Sequence, residues 1–206
     1  AKDGSNALAA IGFSGMLLWI LFGMGISLRT STQTVTSRRY GEENFDRCGQ
    51  ALQHGHMIAF FAGIPATLFM YIYTPSILES LVSQNEISQL AIDYAMFVVP
   101  SIYFIYGSFA FQGFYNGIKM TKIHMTVMVT ANLLNVYLNA GLIYGSNNVI
   151  NFLDKFNLGF LSFLWQILDF PEMYVEGAGL ATMIASIAMF FMYAAFLFMP
   201  QIKNQF

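Results

Sequence analysis

Gly4-Ser-Asn-Ala-Leu-Ala-Ala-Ile-Gly-Phe-Ser-Gly-Met-Leu-Leu-Trp-Ile-Leu-Phe-Gly-Met-Gly-Ile-Ser-Leu28 runs for 25 residues without a charged side chain. At about 1.5 Å per residue, a helix of that length measures about 37 Å, longer than a hydrocarbon core of about 30 Å. A charge at the bilayer centre costs about 2.5–3.5 kcal/mol on insertion scales, so charge-free runs mark where a chain lies in lipid. A lipid-crossing strand needs only about 9–11 residues of alternating polarity, so the run reads as a helix.

Four more such runs follow: Cys48–Leu78, Tyr94–Ile118, Ile123–Leu153 and Gly177–Ile202, of 31, 25, 31 and 26 residues. They predict an all-α polytopic membrane protein with five transmembrane helices, over about 6–28, 52–76, 94–117, 124–146 and 177–200. A sixth apolar stretch, Phe156–Leu168, has 13 residues and is too short to span. Asp154 and Lys155 precede it, and Asp169, Pro171 and Glu172 follow it. With Trp165 inside, it reads as an amphipathic segment lying at the membrane interface.

The composition of the 206 residues agrees: 56% are hydrophobic and only 10% charged, against about 25% charged in a soluble domain. A net charge of −2 excludes a nucleic-acid binder that works through bulk positive charge. The single cysteine, Cys48, excludes an internal disulfide framework and a Cys-based zinc site. No span carries paired carboxylates, and no H-E-x-x-H motif, Gly-rich phosphate loop or Gly-x-Ser-x-Gly elbow occurs. The sequence therefore offers neither a catalytic nor a metal site, and an enzyme is a poor fit.

Lysine and arginine fix the expected orientation. With the N-terminus outside, segments 29–47, 119–122 and 203–206 face inward and hold Arg29, Arg38, Arg39, Arg47, Lys119, Lys122 and Lys203. The outward segments hold only Lys2 and Lys155, and seven against two is a positive-inside bias. The expectation is a cell-membrane protein, N-terminus out and C-terminus cytoplasmic. Because the chain starts at Ala1 with no signal-peptide pattern before an outward start, an upstream helix is expected to be missing.

The polar residues within the spans carry the functional reading. Asn132, Asn135 and Asn139 recur at spacings of three and four, which places them on one helical face. Amides in hydrocarbon need partners, so this face looks into protein or a watery cavity. Two readings stay open, adhesion between helices and a polar pathway. Gly177, Ala178, Gly179, Ala181 and Ala185 suit close packing, and Thr182 either bonds within its own turn or faces the asparagines. His54, His56 and His124 sit at the inner edge of their spans, where histidines mark the interface more often than they sense pH.

Several stretches, in order, resemble the multidrug and toxic-compound extrusion (MATE) family of secondary transporters. They are Gly23–Gly41 leading into Ser37-Arg38-Arg39-Tyr40-Gly41-Glu42, then Asn116-Gly117 through Met125, Asn132 through Gly145, and Pro171 through Thr182. The resemblance implies most of one six-helix lobe of a two-lobe transporter, helices two to six of the amino-terminal lobe. The missing first helix and the carboxyl-terminal lobe would be its partners, together with the lipid bilayer and a small organic substrate. It also implies a cation-coupled antiporter with H+ or Na+ as coupling ion, no cofactor, and a cation or proton pathway at Asn135, Asn139 and Thr182. The chain departs from the family pattern in carrying Asn139 where several coupled members have Asp, and Lys119, Met120 and His124 where Gly, Asp and Pro are usual. Residues 146–168 read as an insertion. A lipid-linked-precursor flippase of related fold and a non-transporting assembly subunit are the alternatives.

Overall fold

The computed structural model describes residues 2–203 and 205–206, with side chains from Gly4 onward. Its described residues form helices and turns, with no strand among them. Helix α1 spans Lys2–Gly41, α2 Phe45–Leu81, α3 Asn85–Val98, α4 Ile102–Gly117, α5 Thr121–Tyr144 and α6 Ser146–Lys155. Then come α7, Phe163–Gln166, α8, Tyr174–Phe196, and α9, Pro200–Lys203. Five helical stretches are long and apolar enough to cross a membrane: Gly4–Gly41, Phe45–Leu81, Asn85–Gly117, Thr121–Tyr144 and Tyr174–Phe196.

The third of these, α3 and α4 together, is interrupted by a 3-10 turn at Val99–Ser101. Pro100 cannot donate a backbone N–H, so the α-helical ladder breaks there. The Ser101 hydroxyl donates to the Val98 carbonyl at 2.6 Å and ties the turn. This span is the hub. Half of its most apolar window is buried, against 17% for the first span. It packs on α1, α2 and α8, whereas α5 is held mainly by α8.

Two expectations are corrected. The first helix does not end near Leu28, because α1 continues to Gly41 and only Glu42–Asn44 turn the chain. Charge marks where lipid ends, and a helix need not stop there. The last turns are supported by Arg38 and Arg39, which pair with Glu42 at 3.2 and 2.7 Å. The stretch 156–168 is not one element but a 3-10 turn at Gly159–Leu161 and the single turn α7. The regular helix of the excursion is α6, just before it. Helix α5 stops at Tyr144, two residues short of 146, since Gly145 has φ +77° and leaves the helix.

The ends of the helices gather by charge. The Phe206 ring lies against Tyr40, Phe45 and Phe114 at 6.4, 5.7 and 5.6 Å. Lys119 Nζ sits 5.9 Å from the Tyr40 ring centre. These contacts join the end of α1, the start of α2, the α4–α5 turn and the C-terminus into a basic end. Glu79, Glu86, Asp154, Asp169 and Glu172 lie toward the opposite, acidic end.

Candidate functional site

Helices α5 and α8 run antiparallel and meet through small residues. A Cβ on Gly177 would collide with the Leu142 carbonyl of α5. One on Gly179 would sit 2.6 Å from the Tyr94 carbonyl oxygen and 2.9 Å from Phe97 Cβ of α3. The small patch at the start of α8 is thus a packing device, clamping α8 between two neighbours. Ala181 behind it is fully buried, against Leu138 and Leu142.

Between this patch and the basic end, a cleft of about 240 Å³ lies between the two helices. It is lined by Met128, Ala131, Asn132 and Asn135 from α5 and by Thr182, Ala185, Ser186 and Met189 from α8. Asn139, one turn beyond Asn135, donates its amide N–H to Asn135 Oδ1 at 2.9 Å. The Asn139 carbonyl oxygen is itself buried without a hydrogen-bond partner. Thr182 bonds within its own turn, donating to the Ala178 carbonyl at 2.9 Å. Its side chain also interacts with that of Tyr94.

The expected site residues therefore come together unequally. Asn135 and Thr182 face one another across the cleft, and Asn139 is coupled to Asn135. Asn132 lines the rim but is exposed, with its amide committed to the Met128 carbonyl at 2.8 Å. Among the described residues, the hydrogen bonds of these amides stay on α5, so within this chain they do not stitch helices together.

Residues not singled out from the sequence also belong to the site. Ser186 lies one turn after Thr182 and donates to its carbonyl at 2.8 Å, a relation its spacing of four alone could have revealed. Tyr94 reaches Thr182 from α3, and no local pattern signals that contact. Among the described residues no three His, Cys, Asp or Glu side chains converge as metal ligands. Oxygen dominates the chemistry on offer: the amides of Asn132 and Asn135, the hydroxyls of Thr182 and Ser186 and the orphaned Oδ1 of Asn139 beside them, the donor type that hard cations prefer.

The described residues thus form a bundle of five helical stretches long and apolar enough to cross a membrane, with a polar cleft between two of them. The chain belongs to the MatE family, whose pattern matches residues 1–140; its members are transporters, not enzymes. It is 28% identical over 190 residues to a probable multidrug resistance protein NorM of Rhodopseudomonas palustris, covering 90% of this chain and 35% of that one. With the probable multidrug resistance protein YoeA of Bacillus subtilis it shares 21% over 194 residues, 94% of this chain and 37% of that one. Its fold matches an inward-facing multidrug resistance MATE family transporter with a TM-score of 0.76 at 21% identity, over 95% of this chain and 39% of the other. The chain thus spans about a third of the length of these relatives.

Proposed function

We propose that this chain is helices two to six of the amino-terminal lobe of a secondary transporter, an H+- or Na+-coupled antiporter that exports organic or amphiphilic cations. A first helix and a second lobe complete the cavity, and the two lobes rock to expose it alternately to each side. The observation that carries this reading is the cleft lined by Asn135 and Thr182, with Asn139 bonded to Asn135 beside it. A buried carbonyl without a partner costs about 1–3 kcal/mol, a cost that a bound cation or water offsets. Ion binding there shifts the lobe between states only by its differential affinity for them.

The bias of seven basic residues against two supports an N-terminus outside and a C-terminus in the cytoplasm, in the cell membrane. Multidrug export is taken from the names of the relatives, and the Met and aromatic side chains of the chain suit loosely selective apolar binding. The full-length protein is to be expressed in drug-sensitive cells lacking their own pumps. Energy-dependent efflux of ethidium or a fluoroquinolone, abolished when the ion gradient is dissipated, is the expected result. Unchanged accumulation despite confirmed membrane expression contradicts it.

A further inference from the structure

Met128 and Met189 line the cleft nearest the basic end. One turn further, α5 presents His124 and α8 presents Tyr193, and the two meet. His124 Nδ1 lies 2.6 Å from the Tyr193 hydroxyl, with the rings nearly parallel and 6.2 Å apart. Along α5, His124, Met128, Asn135 and Asn139 are separated by four, seven and four residues and so share one flank. On α8, Thr182, Ser186, Met189 and Tyr193 do the same.

The Tyr193 side of this contact is fixed. Its ring is fully buried and stacks on Phe111 and Tyr115, each at 5.9 Å. The Tyr115 hydroxyl donates to the Tyr193 carbonyl at 2.8 Å. His124 is the less constrained side, because α5 packs on α8 and only lightly on α4, whereas α8 also packs on α3 and α4.

The cleft itself is lined by amides, hydroxyls and apolar groups, none of which titrates near neutral pH. The charged and titratable groups around His124 are few. Tyr193 faces it from α8, and Arg29 of α1 lies within electrostatic reach of both. Tyr115 of α4 acts through Tyr193, and His56 of α2 packs on Phe111 at 4.3 Å. Lys119, Lys122 and Lys203 at the same end are exposed. Helix α6 lies toward the acidic end and brings no charge here. Among the described residues no carboxylate pairs with His124 or Arg29.

We propose that His124 is the proton-binding residue of the α5–α8 cleft and that, with Tyr193, it closes the cleft at the basic end. The proposal rests on reading that cleft as an ion pathway. A neutral imidazole shares one hydrogen with the Tyr193 hydroxyl. When His124 takes a proton from the adjoining aqueous phase, both ring nitrogens become donors and the Tyr193 hydroxyl can only accept. A second positive charge then faces Arg29, with no carboxylate to balance it. Repulsion moves the basic end of α5 away and admits water past Met128 and Met189 to Asn135. Release of the proton restores the contact.

The test uses the full-length protein in lipid vesicles, with Cys48→Ser and a reporter Met128→Cys, labelled by a water-soluble methanethiosulfonate. Each rate is divided by that of the same protein carrying His124→Gln, which cancels the pH dependence of the thiol; His124→Asn serves as a second reference. The expected ratio is near one at about pH 8 and rises several-fold as the pH falls through the histidine range toward about pH 5. Tyr193→Phe is expected to label rapidly at both ends of that range. A flat ratio against both references overturns the proposal. Efflux measured on the same vesicles separates the two readings: a rising ratio without efflux leaves the gate standing and removes the transporter, and efflux with a flat ratio does the reverse.

Discussion

Asn139 donates its amide N–H to Asn135 Oδ1 across one turn of α5 at 2.9 Å, and its own carbonyl oxygen is left buried without a partner. A bond along one helix holds neither helix to the other. What it does is fix the Asn135 carboxamide at the edge of the cleft while leaving a bare oxygen beside it. Stability and function should therefore separate at this position.

Asn139→Leu removes the orphaned oxygen and fills its place with an apolar group. The folded protein is expected to keep its stability to within about 1 kcal/mol, since the desolvation penalty that disappears offsets the lost bond to Asn135 Oδ1. Ion-driven efflux is expected to fall sharply. Thermal unfolding in detergent, compared with vesicle transport, checks both; loss of fold together with efflux would assign Asn139 a merely structural role.

The two classes of glycine should respond oppositely. Gly177→Ala drives a Cβ into the Leu142 carbonyl and is expected to destabilise by about 1–3 kcal/mol through overpacking. Gly23→Ala on α1 meets nothing within 4 Å and is expected to be neutral or stabilising by about 0.5–1 kcal/mol. Denaturation midpoints of the two variants give the comparison directly.

Ser146, the first residue of α6, ties the end of the excursion back to its start. Its hydroxyl donates to the Leu168 carbonyl at 2.9 Å and accepts from the Phe170 N–H at 2.8 Å. Ser146→Ala leaves both groups unpaired at a cost of about 1–3 kcal/mol. Limited proteolysis between residues 156 and 168 is expected to speed up, with the spans themselves still protected.

At the exposed end of α1, hydrogen bonds from Arg39 and Arg38 hold the Glu42 carboxyl below its ordinary pKa. A depressed carboxylate stabilises the fold above its unfolded pKa, and the benefit is lost as pH falls through the folded value. Acidification is therefore expected to lower the hydrogen-exchange protection factors at residues 39–42, each rate being taken relative to the intrinsic rate at that pH. Glu42→Gln should show low protection factors there at every pH, with no such dependence.

The order and number of apolar helices were legible because a charge-free run of 25 residues has few other uses. The ends were less so. Arg29 and Arg38 mark where apolar side chains give way, yet α1 ignores both and runs to Gly41. The asparagine face was readable from spacing, as was its placement on α5. That Asn132 spends its amide on the Met128 carbonyl while Asn139 turns to the Asn135 side chain is a choice between partners at the same spacing along α5, which spacing alone does not decide. Tyr94 escaped because it reaches Thr182 from α3, far from α8 in sequence, and the contact of Tyr193 with His124 joins residues 69 apart.

The most direct test of the central claim, that Asn135 borders an aqueous route, is its accessibility. Asn135→Cys in the full-length protein with Cys48→Ser is labelled by a membrane-impermeant thiol reagent and compared with Leu133→Cys, whose side chain is 65% exposed on another face of α5. The account predicts that position 135 reacts from the aqueous phase, slows when the coupling cation is added, and far outpaces position 133. Equal and negligible labelling at both positions, unaffected by Na+ or pH, would contradict it.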